Sequence, residues 1–210
     1  MALLHRAELH PTKLELLAAW LPSRRWYRGT ADAEVERVAA CRFDDPAGEV
    51  GIETILVRTD GGPIHHVPLT YRDAPLDGGA AWLVGTCEHT VLGRRWVYDA
   101  CGDPVYAAAL ASAIFAGTGQ AEEFMEVDGR LERRETAMVV TGSGPHGVDV
   151  PVVRAVRHVV DEDPTLIVTD SLELTVVRTV DASRRHAGPT LTGKWTDLPA
   201  AVLLASAQPS

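Results

Sequence analysis

The sequence predicts an α+β protein in which a short helix lies on an antiparallel β-sheet and a second, strand-rich part follows. Three observations support this. Extended segments rich in Val, Ile, Thr and aromatic residues recur along the chain, bounded by Gly, Pro, Asp and Ser clusters. Those clusters are turn-like and join successive strands as in a meander. Only two stretches carry clear helix signals.

The first helix opens at Pro11 with the capping box Thr12-Lys13-Leu14-Glu15, and Leu14, Leu16, Leu17, Trp20 and Leu21 form its apolar stripe. Pro22 cannot continue it. The chain then presents Arg24-Arg25-Trp26-Tyr27-Arg28 before Gly29 releases it into the first long strand. Strands are expected at 35–43, 52–59, 64–71 and 82–89, with a shorter extended piece at 94–100. A helix across such a sheet is expected to bury one face and leave the other free.

Asp103-Pro104 opens the second helix, with Asp103 as N-cap and Gly117 as the stop. The boundary between the two parts is placed there, giving residues 1–103 and 104–210. Beyond it, a hairpin of charged residues is expected over 122–141, around Asp128-Gly129, with further strands at 152–160, 165–169, 172–180, 190–195 and 201–205. The glycine-rich 142–147 stretch is expected to be the most flexible.

Composition narrows the function. The formal charge of −9, with more acids than bases in each half, argues against nucleic-acid binding. No apolar run approaches the roughly 20 residues of a membrane span. The first residues lack a secretory h-region, which gives a cytoplasmic expectation. Cys41, Cys87 and Cys101 have no metal-site spacing and read as buried thiols. Lys13 and Lys194 are the only lysines.

The stretch Trp20-Leu21-Pro22-Ser23-Arg24-Arg25-Trp26-Tyr27-Arg28-Gly29 resembles the signature at the start of bacterial maltokinases, in their N-terminal cap domain. Val67-Pro68-Leu69-Thr70-Tyr71-Arg72 and the Tyr98-Asp99-Ala100 to Asp103-Pro104 junction are similar to later landmarks of that family, in matching order over about the first half of the chain. The resemblance implies a cystatin-like sheet wrapped on a helix, followed here by a subdomain resembling a truncated kinase N-lobe. It also implies a catalytic lobe for which the chain has no room, so a pseudokinase-like fragment is one description. Leu172 to Arg178 resembles the family's lysine-bearing strand, with Thr175 where the lysine stands, and the preceding Asp161-Glu162-Asp163-Pro164 turn would repel a nucleotide.

Other candidate chemistry is weak. Gly142-Ser143-Gly144-Pro145-His146-Gly147 fits G-x-G-x-x-G, but no helix follows it. His65 and His66 point to opposite faces of one strand, and Cys87-Glu88-His89 lacks the further ligands of a zinc site. Asp44-Asp45 and Glu122-Glu123 are explained by solvation, and Ser112 and Ser143 lack a nucleophile elbow. No catalytic residue, metal or cofactor is assigned. The expectation is a non-catalytic regulatory or assembly module of α-glucan or trehalose metabolism, with Arg24, Arg25, Trp26, Tyr27 and Arg28 as its contact surface. Its candidate partners are a protein, a second copy of the chain or a glucan. Two alternatives stay open: a degenerate or partner-completed sugar kinase, and a small carbohydrate-binding module with Trp26, Trp82, Trp96 or Trp195 as stacking residues.

Overall fold

The computed structural model of the protein describes residues 2–4, 8–127, 130–144, 149–196, 198 and 200–209. Two short strands, β1 (Ala2–Leu4) and β2 (Leu9–His10), precede helix α1 (Lys13–Trp20). The helix begins as its sequence requires: Glu15 N–H donates to the Thr12 hydroxyl, and Thr12 N–H donates to Glu15 Oε2 at 2.7 Å. It ends in a 3-10 turn, Leu21–Ser23, imposed by Pro22.

Then come β3 (Val35–Phe43), β4 (Gly51–Thr59), β5 (Ile64–Arg72), β6 (Leu83–His89) and β7 (Gly93–Asp99). With β2 they form a six-stranded antiparallel sheet in the order β2-β6-β7-β5-β4-β3. The meander holds for β3 to β5 and then breaks. A 3-10 turn over Gly79–Trp82 carries the chain past one position, so β6 lies outside β7 rather than beside β5.

Helix α2 (Pro104–Phe115) follows, its Asp103 cap accepting the Val105 N–H and Gly117 adopting φ +62° past its end. Strands β8 (Glu123–Val127) and β9 (Arg130–Arg134) form an antiparallel pair, and β1 adds to β8 in parallel. The Asp128-Gly129 turn between them lies outside the described residues. The expected hairpin is therefore shorter, because β10 (Met138–Gly142) leaves it for a second six-stranded sheet. That sheet contains β11 (Val156–Val160), β12 (Thr165–Thr169), β13 (Leu172–Val176), β14 (Thr190–Trp195) and β15 (Val202–Pro209), ordered β10-β14-β15-β13-β12-β11. Pairing with β12 begins only at Val156, so residues 152–155 are not strand as expected.

The strand expected to run to Val180 ends at Val176, and residues 177–180 cross to the first sheet. There Arg178 C=O accepts the His66 N–H at 2.8 Å, and Val180 N–H donates to Ile64 C=O at 2.9 Å.

The first sheet is covered on both faces along β3 and β4, contrary to the expectation of a free one. Alternation along β4 sends Ile55 and Val57 to α1, Trp20 and Trp26, whereas Ile52 and Leu56 join α2 and the second sheet. β4 accordingly reads as a near-continuous apolar run, the pattern of a strand buried twice. Helix α2 buries Tyr106, Ala107, Leu110, Ala111, Ala113 and Ile114, more than one stripe, as a helix enclosed between sheets must. Each such Leu or Ile contributes about 1.5–3 kcal/mol.

Candidate functional site

After Ser23, the residue Arg24 turns extended, and the basic-aromatic segment runs back under the edge of the second sheet. Trp26 is 2% exposed, and its indole Nε1 donates to Asp161 Oδ1 at 2.7 Å. The same carboxylate accepts Arg24 Nη1 at 3.4 Å and lies 3.8 Å from Arg178 Nη2. Arg178 is wholly buried. Its guanidinium sits 4.7 Å from the Trp26 ring centroid, donates through Nε to Thr165 Oγ1 at 2.7 Å, and through Nη2 to Asp99 Oδ2 at 2.6 Å. The acidic turn thus faces the hinge: Asp161 holds Arg24 and Trp26, and Asp163 accepts the Arg178 N–H and Arg184 Nη2.

Aromatic contacts extend the cluster. Trp20 meets Trp26 edge-on at 5.9 Å, and Arg24 lies 4.9 Å from the Trp20 centroid. His65 packs between Trp26 and Tyr27, with ring centroids at 5.9 and 5.2 Å. On the opposite face of β5, His66 Nδ1 donates to Val177 C=O at 2.9 Å. Burial lowers the pKa of both histidines; His66, also beside Arg178, is pushed down to about 4.

Trp26 and Tyr27 are therefore buried, Arg24 is half-buried, and Arg25 and Arg28 are exposed. Ser23, Arg24, Arg25, Val160, Asp161 and Glu162 line a shallow groove of about 320 Å³ beside them. Arg178 and Asp99 carry the cluster but were not singled out from sequence. The signal was present: a lone Arg in an inward-pointing register of an apolar run demands a buried carboxylate.

A second buried polar cluster lies under α1. Glu53 accepts Lys13 Nζ at 2.5 Å and the Tyr71 hydroxyl at 2.8 Å, and Arg42 Nη2 is 3.5 Å away. Burial would raise the Glu53 pKa, but the charges of Lys13 and Arg42 outweigh it and hold the carboxyl below its ordinary range.

The remaining sequence candidates hold structure. Asp45 accepts the N–H groups of Ala47, Glu49 and Val50. His89 Nδ1 accepts those of Val91 and Leu92, while Cys87 is core. Glu122 pairs with Arg133, and Glu123 with Arg42. Gly142 and Gly144 press on the backbone of Ala113 and Phe115, so this part of the glycine stretch is pinned to α2; its Pro145-to-Gly147 part lies outside the described residues. Thr175 stands half-buried in β13 between Leu166 and Ser206. Among the described residues, no group of three or more His, Cys, Asp or Glu is placed to hold a metal, and no helix is long and apolar enough to cross a membrane.

Compared with known families, residues 20–103 match the maltokinase N-terminal cap domain. This segment is maltokinase N-terminal cap-like. The match begins at Trp20, where α1 meets the hinge, and ends at Asp103, the cap of α2. It relates the protein to maltokinase. No curated protein matches the chain at a significant level. The matched segment supplies Trp26 and Asp99 to the buried cluster, whereas Asp161 and Arg178 reach it from the residues that follow.

Proposed function

We propose that the chain is a non-catalytic regulatory or assembly module related to maltokinase, acting in α-glucan or trehalose metabolism. One observation carries the proposal. Arg24, Trp26, Asp161, Arg178 and Asp99, the groups with the most chemical potential, bond to one another and tie the cap domain to the second sheet. Their role is rigidity, and the hinge offers Arg25, which lines the groove, and the exposed Arg28 as the contact part of the 24–28 segment. Arginines anchored beside packed aromatics are the residue type that dominates interface energetics.

In this proposal the boundary lies between residues 103 and 104. The cap is a cystatin-like helix on a sheet, and the second sheet is its kinase-N-lobe-like companion. Three free cysteines, all buried, suit a reducing cytoplasm.

The test is affinity purification of the tagged protein from its host, beside an Arg25→Ala/Arg28→Ala variant. Enzymes acting on α-glucans or trehalose should be recovered with the natural sequence and lost with the variant at unchanged melting temperature. Equal recovery by both rejects the contact surface. A melting shift with magnesium ATP favours the degenerate kinase instead, since ligand at one hundred times its Kd adds about 2.7 kcal/mol.

A further inference from the structure

Of the five tryptophans, Trp20, Trp26 and Trp195 are buried, and the two that remain partly exposed, Trp82 and Trp96, converge on one surface. Val97, Leu69 and Tyr71 point toward the core under α1, so Trp96, next to Val97, and Arg72, next to Tyr71, project from the opposite face of the sheet. Trp96 stands directly across from Arg72 in the β5–β7 register and from Thr86 in the β6–β7 register. Arg72 grips Asp103 with two bonds, Nε at 2.8 Å and Nη2 at 2.7 Å. The residue before Asp103 is Gly102, against which the Trp82 ring lies so closely that a Cβ there would fall 2.2 Å from the Trp82 Cγ. The two indoles therefore flank one fixed ion pair on a rigid sheet.

We propose that this surface is a binding platform for a neutral oligosaccharide. The flat C–H face of a pyranose matches an exposed aromatic ring, and fixed polar groups around it set orientation. Here those groups are matched in charge: Arg72 is neutralised by Asp103, and Arg94, 5.8 Å from the Trp96 centroid, is neutralised by Glu88 at 3.3 Å. An anion or a nucleic-acid backbone would need unpaired cations. Sugar hydroxyls both donate and accept, and paired Arg and Glu side chains offer both kinds of partner without net charge. The indole N–H groups of Trp82 and Trp96 have no partner among the described residues and add two donors. An α-glucan is the sugar class that follows from the relation to maltokinase, and that choice rests on the function proposed above.

Titration calorimetry and tryptophan fluorescence with maltoheptaose and cellohexaose test the platform. Maltoheptaose should quench the fluorescence and release heat. Trp96→Ala or Trp82→Ala should weaken it about tenfold or more, with melting temperature held within about 2 °C. Trp96→Phe, which keeps an aromatic plug should Trp96→Ala not fold, should retain part of the affinity. Absence of heat and quenching with both sugars overturns the platform and leaves the partner-recovery test of Arg25 and Arg28 standing. Cellohexaose bound in place of maltoheptaose, and lost in Trp96→Ala, supports the platform and overturns the α-glucan assignment. Affinity unchanged in both tryptophan variants overturns the location.

Discussion

Arg178 Nη2 lies 2.6 Å from Asp99 Oδ2 with both side chains closed to solvent, joining the chain after β13 to the end of β7 across 79 residues of sequence. Such a pair is costly to bury and more costly to break, because the survivor keeps its charge without a partner.

Arg178→Met should therefore cost about 3–5 kcal/mol of unfolding free energy. Adding Asp99→Leu should restore part of that loss. A urea double-mutant cycle reads the coupling directly; single costs that add within about 0.5 kcal/mol would show that the two residues act independently.

Trp26 combines a buried ring with a charge-assisted bond, and two variants separate them. Trp26→Phe keeps most of the packing, loses the bond to Asp161 and should cost about 1.5–3 kcal/mol. Trp26→Ala also opens a cavity and should cost about 3–5 kcal/mol. Equal stability of the phenylalanine variant and the natural sequence would assign the whole contribution to packing.

His66 makes stability depend on pH. Its pKa is about 4 folded, against the usual 6.5 unfolded, so the unfolded chain binds the extra proton between those values. The contribution is complete above pH 6.5 and is lost as pH falls toward 4, about 3 kcal/mol in total. His65 acts in the same direction, and Glu53 adds a loss below its unfolded range. Urea unfolding from pH 7 to 4 should give a slope about one proton shallower in His66→Gln.

Gly142 and Gly144 should not tolerate alanine. A Cβ would stand 1.9 Å from Ala113 O at the first and 2.3 Å from Phe115 O at the second, with backbone as the obstacle in both cases. Each substitution should cost about 1–3 kcal/mol by pushing β10 off α2. Thermal unfolding checks this, with a Gly51→Ala control, where an added Cβ would meet nothing closer than 3.4 Å.

Most element positions were legible because their causes are local. The Thr12–Glu15 box closes within three residues, and the Asp103 cap reaches Val105 two residues on. Strands β12 and β14 have the bounds that their turn residues suggested. The exits were less legible. β13 stops at Val176 and β6 takes the outer position because distant partners, not neighbours, claim those backbones.

The hinge shows the same division. Pro22, the arginines and the aromatics marked the segment from sequence alone, and the family landmarks lie within residues 20–103. Periodicity says that a residue points inward or outward but not what it will meet. Trp26 meets Asp161 from 135 residues away, so the acidic turn's role as the hinge's partner came only from tertiary packing. Tertiary packing also covered the second face of the first sheet, because α2 is apolar beyond one stripe and has to be enclosed. Packing on the two faces also sorted five equivalent-looking tryptophans into three core residues, Trp20 and Trp26 under α1 and Trp195 in the α2 core, and two half-buried ones.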